Sequence, residues 1–158
     1  MSRNLKLPAI DPAMVEPVTG SNYPDHLKPR AEGRSKKRLG DALGLKNFGV
    51  NLTTIKPGAA SALRHWHSRE DEFIYVVSGE LVLVTNAGEQ LLTAGMTVGF
   101  PAGKADGHCL VNRATRDAVY PEVGNRAPDD VVTYPDDDLE GRATGSGRKF
   151  FRQDGTPY

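Results

Sequence analysis

Short apolar runs separated by turn residues dominate the chain from residue 47 to residue 123. The runs are rich in β-branched and aromatic residues, and no amphipathic helical pattern lies between them. Glycine, proline and asparagine mark the breaks, at intervals typical of antiparallel sandwiches and barrels. The pattern therefore predicts an all-β domain built from the runs NFGVNLTTI, EFIYVVSG, ELVLVTN, EQLLTA, MTVGF, HCLVN and DAVYPEV.

One break has the composition of a tight hairpin turn. In TNAGEQ, the residues Asn86, Ala87 and Gly88 can supply the positive φ that a short connection needs. We therefore expect the two runs that flank this break to pair directly as neighbouring antiparallel strands.

The segments before and after the apolar runs have a different texture. Residues 1–35 contain prolines at positions 8, 12, 17, 24 and 29, which fix φ and remove backbone donors, and this predicts an extended arm rather than a helix. Residues 36–124 then form the β-barrel. Residues 125–158 are polar and rich in glycine, and we expect an irregular segment that covers the barrel.

A cluster of basic residues follows the arm, and it has two interpretations. Its members could contact an anion or a phosphate, but the simpler interpretation, which we favour, is a solvated surface. Acidic residues of the tail, at positions 129, 130 and 136–138, could pair with it. The basic residues are Arg30, Arg34, Lys36, Lys37 and Arg38.

Composition narrows the functional classes. The 158 residues fit one domain, and 20 Lys and Arg against 20 Asp and Glu leave no net field that would attract nucleic acid or an anionic membrane. The N-terminal sequence resembles neither a signal peptide nor a membrane anchor, so we expect a cytoplasmic protein with no nucleic-acid or membrane partner. The single cysteine, Cys109, cannot form an internal disulfide.

The stretch RHWHSREDEF carries the first candidate chemistry. In a strand, side chains alternate between faces, so His65 and His67 point the same way and can share a metal. Glu72 opens the next strand and is the best-placed carboxylate, whereas Glu70 and Asp71 are expected in the turn, facing solvent. Nitrogen and carboxylate oxygen together suit Zn, Mn, Fe, Ni or Co. The competing explanation is that the spacing of His65 and His67 arose by chance and that two exposed strand histidines bind no metal.

The other two histidines fall into different contexts. His108 opens the run HCLVN, and its side chain is expected to point into the same barrel, with Cys109 on the opposite face as a small core residue. His26 lies in the proline-rich arm and is expected to be uninvolved.

Two motifs resemble those of the cupin superfamily. Residues 58–79, GAASALRHWHSREDEFIYVVSG, are similar to its first motif, and residues 95–112, GMTVGFPAGKADGHCLVN, to its second. Gly58 and His65 are separated by six residues rather than five, and Gly103 and His108 by four rather than two. Both additions fall in loops, where extra residues cost little.

The resemblance implies a fold, a metal site and a range of functions. The fold would be a double-stranded β-helix, the cupin jelly-roll barrel, and the ligands of one divalent metal ion would be His65, His67, Glu72 and His108. Apolar side chains would wall the cavity, and strand parity places Tyr75 and Arg64 outside but leaves Tyr120 unassigned. The proposed wall consists of Leu63, Ile74, Val76, Phe100 and Leu110.

Three functional hypotheses follow, because the cupin architecture supports many activities. The first is a metal-dependent enzyme of dioxygenase or isomerase type that acts on a small organic molecule. The second is a module that binds or senses a small sugar or acid without turnover, and the third is a structural cupin without metal chemistry. No fused helix-turn-helix pattern accompanies the barrel, which favours the enzyme slightly. Whether the protein is catalytic stays open at this point.

A homodimer is the expected assembly. A small jelly-roll domain with an extended arm can cover the sheet edge of a second copy, and covering such an edge protects its unpaired backbone groups.

Overall fold

The computed structural model describes residues 7–144 and 147–158, so the first six residues of the predicted arm lie outside the described residues. Antiparallel strands make up most of the regular structure, joined by two short 3₁₀ helices, Pro12–Met14 and Asp25–Ala31, and one helical turn, α1 (Leu39–Ala42). The strands are β1 (Val18–Thr19), β2 (Arg34–Arg38), β3 (Phe48–Ile55), β4 (Trp66–His67), β5 (Glu72–Tyr75), β6 (Glu80–Thr85), β7 (Gly88–Thr93), β8 (Thr97–Phe100), β9 (Cys109–Val111), β10 (Ala118–Asn125), β11 (Val131–Tyr134), β12 (Leu139–Thr144) and β13 (Gly147–Phe151).

The largest sheet in the described part of the chain has the strand order β1-β2-β3-β10-β5-β8. Its longest pairing aligns Phe48–Ile55 with Ala118–Asn125 over their full lengths. Side chains alternate between the two faces of these strands, and the alternate residues on the inner face are buried. They are Thr53 and Ile55 of β3 and Ala118 and Tyr120 of β10.

Two smaller sheets complete the fold. One has the order β7-β6-β9 and the other the order β13-β12-β11-β4. The predicted hairpin at Asn86 and Ala87 is confirmed, because β6 pairs with β7 and Thr85 lies opposite Gly88. Gly88 has a φ of +117°, which a glycine adopts without strain.

The all-β jelly-roll class is confirmed, but the sheets do not close into a barrel. Between the described strands, the hydrogen-bonded ladders end at the sheet edges, and isolated bridges span the gaps. One bridge joins Ala60 to Val111, and another joins His65 to His108. The gaps leave room for a cavity between the sheets.

Two hydrophobic clusters hold the sheets together. The first lies between the largest sheet and the β7-β6-β9 sheet and contains Ile55, Ile74, Val76, Leu81 and Leu110 among others. The second packs the N-terminal segment against the β13-β12-β11-β4 sheet. Its buried members are Tyr23, Leu27, Ala31, Leu63, Val132, Tyr134 and Leu139.

The N-terminal segment differs from the expected extended chain in two places. Pro12 occupies the start of a 3₁₀ helix, where its missing amide is not needed, and Asp11 caps that helix by accepting from the Ala13 amide at 2.9 Å. The second 3₁₀ helix, Asp25–Ala31, accommodates Pro29. Proline therefore excludes a long α-helix here but not a short 3₁₀ turn.

The C-terminal segment is more regular than expected. Three strands, β11, β12 and β13, follow residue 124, and β11 pairs with β4 so that Val132 lies opposite His67. The glycines and charged residues of this segment interrupt the alternation of apolar and polar residues by which a strand is recognised in a sequence. Gly141 lies where the Arg148 side chain crosses the strand, and a Cβ at that position would come within 2.7 Å of Cδ of Arg148. Of the predicted pairs between the basic cluster and the tail acids, Arg30 with Asp137 is present.

No helix in residues 7–144 or 147–158 is long and apolar enough to cross a membrane.

The predicted homodimer stays a prediction. The outer face of the largest sheet exposes Phe73, Tyr75 and Val77, whose exposed fractions are 46%, 43% and 52%, while Ile74 and Val76 between them are buried. The expectation that Tyr75 points outward is thus confirmed.

We expect Gly79→Ala to destabilise the fold more than Gly58→Ala. Both glycines have a φ of +79°, so both variants incur the cost of a left-handed side chain, about 1 kcal/mol. At Gly58 a Cβ would meet open space, whereas at Gly79 it would lie 2.7 Å from the Cα of Ala118 and 2.7 Å from the carbonyl oxygen of Asp117. Overpacking against backbone should bring the loss at Gly79 to about 3 kcal/mol in urea unfolding. Equal losses in the two variants would show that this close approach has no energetic weight.

Candidate metal centre

Three separate segments deliver the predicted metal-site residues to one place. His67 lies in β4, Glu72 opens β5, and His108 directly precedes β9. His65 and His108 are joined by a backbone bridge, in which each amide donates to the other residue's carbonyl, at 3.1 and 2.8 Å. The four side chains His65, His67, Glu72 and His108 are called the imidazole–carboxylate cluster below.

One oxygen atom is the focus of this cluster. Oε2 of Glu72 lies 2.9 Å from Nε2 of His108, 3.6 Å from Nε2 of His67 and 3.8 Å from Nε2 of His65. The His65 ring centroid is 5.2 Å from that of His67 and 4.9 Å from that of His108. The structure thus brings together all four residues, as the alternation of the strand and the cupin resemblance predict.

Hydrogen bonds at the far nitrogens orient two of the imidazoles. Nδ1 of His65 lies 2.8 Å from the carbonyl oxygen of Leu63, and Nδ1 of His67 lies 2.7 Å from Oδ2 of Asp130. Because a carbonyl and a carboxylate only accept, each Nδ1 carries a proton, and Nε2 of each ring faces the cluster. His108 is held differently, since its ring stacks on Phe100 with centroids 3.4 Å apart.

The charges of the cluster are coupled. Burial lowers the pKa of His65 to about 3, although the charge of Glu72 opposes the shift. Burial would raise the pKa of Glu72, but the hydrogen bond from His108 and the charges of His65 and His67 outweigh it and hold that pKa below its usual range. A neutral His65 and an ionised Glu72 are the protonation states in which these residues bind metals.

Asp130 is a buried carboxylate that the sequence analysis did not assign to the site. The residue as a whole is 1% exposed. In addition to the hydrogen bond from His67, its carboxylate accepts one from the amide of Arg69 at 3.0 Å and one from the Arg148 guanidinium at 3.1 Å. Burial would lower the pKa of His67, but the hydrogen bond to Asp130 and the charge of Glu72 outweigh it and raise that pKa. No local pattern marks Asp130, because its contact with His67 depends on the pairing of β11 with β4.

Glu70 corrects a second expectation. It was expected in a solvent-facing turn, but its side chain is 19% exposed, and its Oε2 lies 3.6 Å from Nδ1 of His67. The amide of Ala127 donates to its Oε1 at 3.1 Å, which turns the side chain inward. Asp71 is exposed and accepts from the amide of Ala102 at 2.7 Å, as a turn residue should.

A cavity of about 440 Å³ opens onto the cluster, a size ordinary for small-molecule sites. Ile74 and Leu110 line it as predicted, but the expectation that Leu63 and Val76 would line it is wrong, because both are enclosed within the hydrophobic clusters. Phe100 lines a smaller cavity of about 190 Å³, which reaches His67, Glu72 and His108 from another side.

The basic residues of β2 only partly fit the interpretation as a solvated surface, because Arg38 is exposed whereas Arg34 and Lys36 are half-buried. Arg34, Lys36 and Arg38 alternate along the strand and line the large cavity, together with Arg148. Strand pairing determines this placement, because β2 joins the edge of β3 with these side chains on the inner face.

The remaining candidates occupy distinct positions. Tyr120 is fully buried and lines the cavity. Its hydroxyl makes no hydrogen bond of ordinary geometry with the described residues. Burial raises the pKa of this hydroxyl, and the nearby Ser61 side chain opposes the rise. Cys109 is buried, as expected of a core residue. His26 lies against Tyr158, with ring centroids 5.8 Å apart.

The donor atoms of His65, His67 and Glu72 fit a divalent metal ion, and His108 approaches this group through Oε2 of Glu72. Ligand atoms that each lie about 2.0 to 2.2 Å from one ion are separated from one another by roughly 3 to 4 Å, and the distances around Oε2 of Glu72 span 2.9 to 3.8 Å. Ligating atoms of His65, His67 and Glu72 all lie within 4.8 Å of one another, and so do those of a second group, His67, Glu70 and Asp130. The first group lies beside His108 on the Nε2 side of His67, whereas the second lies on the Nδ1 side of His67.

Comparison with known proteins identifies the family of this chain. A family model described as a cupin domain, Cupin_2, matches residues 51–124. A solved structure from Silicibacter pomeroyi, described as a sugar phosphate isomerase from a cupin superfamily, is 44% identical over 96% of each chain, with a TM-score of 0.92. No match was found among curated proteins.

Two further structures extend the comparison. One from Acidithiobacillus ferrooxidans, provisionally described as a sugar phosphate isomerase, is 32% identical over 84% of this chain and 83% of its own, with a TM-score of 0.74. The polyketide cyclase RemF from Streptomyces resistomycificus shares the fold at 17% identity, covering 76% of this chain and 80% of its own, with a TM-score of 0.63. On this sequence identity, coverage and geometry, the chain belongs to the cupin superfamily.

Proposed function

We propose that this protein is a metal-dependent isomerase that acts on a small sugar phosphate. The observation that carries the proposal is the imidazole–carboxylate cluster at the wall of the large cavity, where a substrate can reach it. The substrate class is inferred from the two relatives that are 44% and 32% identical and are described as sugar phosphate isomerases.

In this proposal, His65, His67, Glu72 and His108 hold one divalent ion. Zn, Mn, Fe, Ni and Co all accept such a mixture of imidazole and carboxylate. A bound ion supplies Lewis acidity that polarises a carbonyl or hydroxyl oxygen. Asp130 acts as a positioning residue, because it fixes the Nδ1 proton and the ring orientation of His67.

The other residues of the cavity bind and orient the sugar. Isomerisation moves a proton between adjacent carbons, and Glu70 and Glu122 present carboxylates to the cavity that can accept and return it. Burial raises the pKa of Tyr120 well above its ordinary value, so its enclosed hydroxyl stays protonated beside the cavity. Ile74 and Leu110 limit the access of water.

Removal of a cluster side chain should abolish stoichiometric metal binding. We expect His67→Ala and His108→Ala to lower affinity for a divalent ion by more than about 100-fold, since loss of a ligand should exceed the effect of losing an outer hydrogen bond. His26→Ala, whose ring lies against Tyr158, serves as the matched control and should bind like the unsubstituted protein. Competition titration against a chromophoric chelator measures these affinities. Unchanged binding in both cluster variants would show that the ion is held elsewhere.

Loss of the Asp130 charge should weaken metal binding more moderately. Asp130→Asn preserves the size of the side chain but weakens the acceptor for the His67 proton, and we expect a fall of about 10- to 100-fold in affinity. Asp129→Asn is the neighbouring control, because the Asp129 side chain is 62% exposed and pairs with Arg69 at the surface. The same titration applies, with urea unfolding to separate affinity from stability. Equal affinities in the two variants would leave Asp130 with only a structural role.

The activity itself is tested by proton exchange. Metal-loaded protein is incubated in D₂O with aldose and ketose phosphates of four to six carbons, and NMR follows product formation and deuterium uptake at the carbon next to the carbonyl. We expect both with the unsubstituted protein, and neither with Glu72→Gln. Tight binding of these compounds without exchange or product would contradict the isomerase proposal and support a non-catalytic sugar-binding cupin.

A further inference from the structure

We propose that the inner face of β2 is the phosphoryl-binding subsite, with Arg38 as its principal donor, and that the substrate lies across the sheet from there to the imidazole–carboxylate cluster. The inference rests on the proposed function, since it assigns a position to the phosphoryl group of that substrate. Arg34, Lys36 and Arg38 form the subsite and are called the β2 row below.

Strand alternation places the β2 row on one face. Arg34, Lys36 and Arg38 lie opposite Ile55, Thr53 and Asn51 of β3, all on the cavity side. Lys37, between them, points to the other side, where its Nζ donates to the carbonyl oxygen of Pro12 at 2.8 Å. The strand therefore presents three cations to the cavity and one to the arm.

The pattern of ion pairing concentrates positive charge at this row. Among the cations that line the cavity, Lys36 pairs with Glu122, Arg126 with Asp41, and Arg148 with Asp130. These carboxylates offset much of the attraction that the three cations would exert on an anion.

Arg34 and Arg38 have no such carboxylate partner among the described residues. Arg34 donates to the carbonyl oxygens of Gly20 and Ser61, which fix its guanidinium without neutralising its charge. The Arg38 side chain makes no hydrogen bond or ion pair within residues 7–144 and 147–158, so its planar set of donors is available. A guanidinium binds phosphate oxygens through paired N–H groups, and phosphate is the anion class that such a fork fits well.

The path from the cluster toward the β2 edge of the sheet crosses two glycines. Glu72 of β5 lies opposite Gly124 of β10, which in turn lies opposite Gly49 of β3. Both glycines line the cavity, and a Cβ at Gly124 would come within 3.8 Å of Cγ of Glu72. The row that begins at Glu72 meets β3 at Gly49, two residues from Asn51, which lies opposite Arg38. The Arg126 side chain lies beside Gly49, where a Cβ would come within 3.7 Å of its Nε.

The length of this path suits an extended sugar phosphate. Two strands, β3 and β10, separate β2 from β5, so the backbones of β2 and β5 lie about 14 Å apart at ordinary strand spacing. A carbonyl at the cluster and a phosphoryl group at the β2 row can then belong to one molecule, in which the phosphoryl group anchors the substrate and no bond to it changes.

The experiment compares two substitutions on opposite faces of β2 in the metal-loaded full chain. Arg38→Gln and Lys37→Gln each remove one positive charge from β2. Calorimetric titration with inorganic phosphate, ribose 5-phosphate and ribose measures binding to each protein. For Arg38→Gln we expect affinity for both phosphate compounds to fall by at least about 10-fold, with ribose binding and metal content unchanged. Lys37→Gln should remain within about twofold of the unsubstituted protein.

The outcomes separate this inference from the proposed function. If the protein isomerises sugar phosphates but Arg38→Gln binds phosphate compounds normally, the phosphoryl group lies elsewhere and the inference is wrong. If phosphate binding depends on Arg38 but no sugar phosphate is isomerised, the subsite stands and the proposed activity fails. Absence of phosphate and ribose 5-phosphate binding by the unsubstituted protein would also overturn the inference.

Discussion

The carboxylate of Glu72 is the group on which the rest of this site depends. A carboxylate removed from bulk water is costly unless it is paired, and here three imidazoles approach one of its oxygens, at 2.9 to 3.8 Å. The arrangement requires β4, β5 and the start of β9 to meet, and the bridge between His65 and His108 holds two of these segments together. The fold therefore places donor atoms that are distant in the chain around a common point.

The residues that distinguish this site come partly from outside the cupin motifs. The imidazole–carboxylate cluster falls within residues 51–124, the range that the cupin model matches. By contrast, the β2 row precedes that range, and Asp130 and Arg148 follow it. The N-terminal and C-terminal segments thus complete the cavity around a core that is common to the superfamily. In this chain, the segments around the motifs determine which groups surround the cluster.

Sequence reasoning predicted the elements that depend on local patterns. Alternation along a strand placed His65 and His67 on one face, and the turn composition at Asn86 to Gly88 gave the β6–β7 hairpin. The resemblance to the cupin motifs added His108, whose approach to Glu72 no local pattern indicates. Asp130 was missed because a contact between β11 and β4 joins residues 63 positions apart. The position of the β2 row at the cavity was not predicted for a related reason: alternation shows that Arg34, Lys36 and Arg38 share a face, but only sheet pairing decides whether that face meets solvent or a cavity.

Anomalous diffraction from crystals of the metal-loaded protein, collected at the absorption edge of the bound element, tests the central claim most directly. The account predicts one peak per chain, within about 2.0 to 2.3 Å of Nε2 of His65, His67 and His108 and of a Glu72 oxygen. A peak on the opposite side of His67, between Glu70 and Asp130, or no peak in crystals grown with saturating divalent metal, would contradict it.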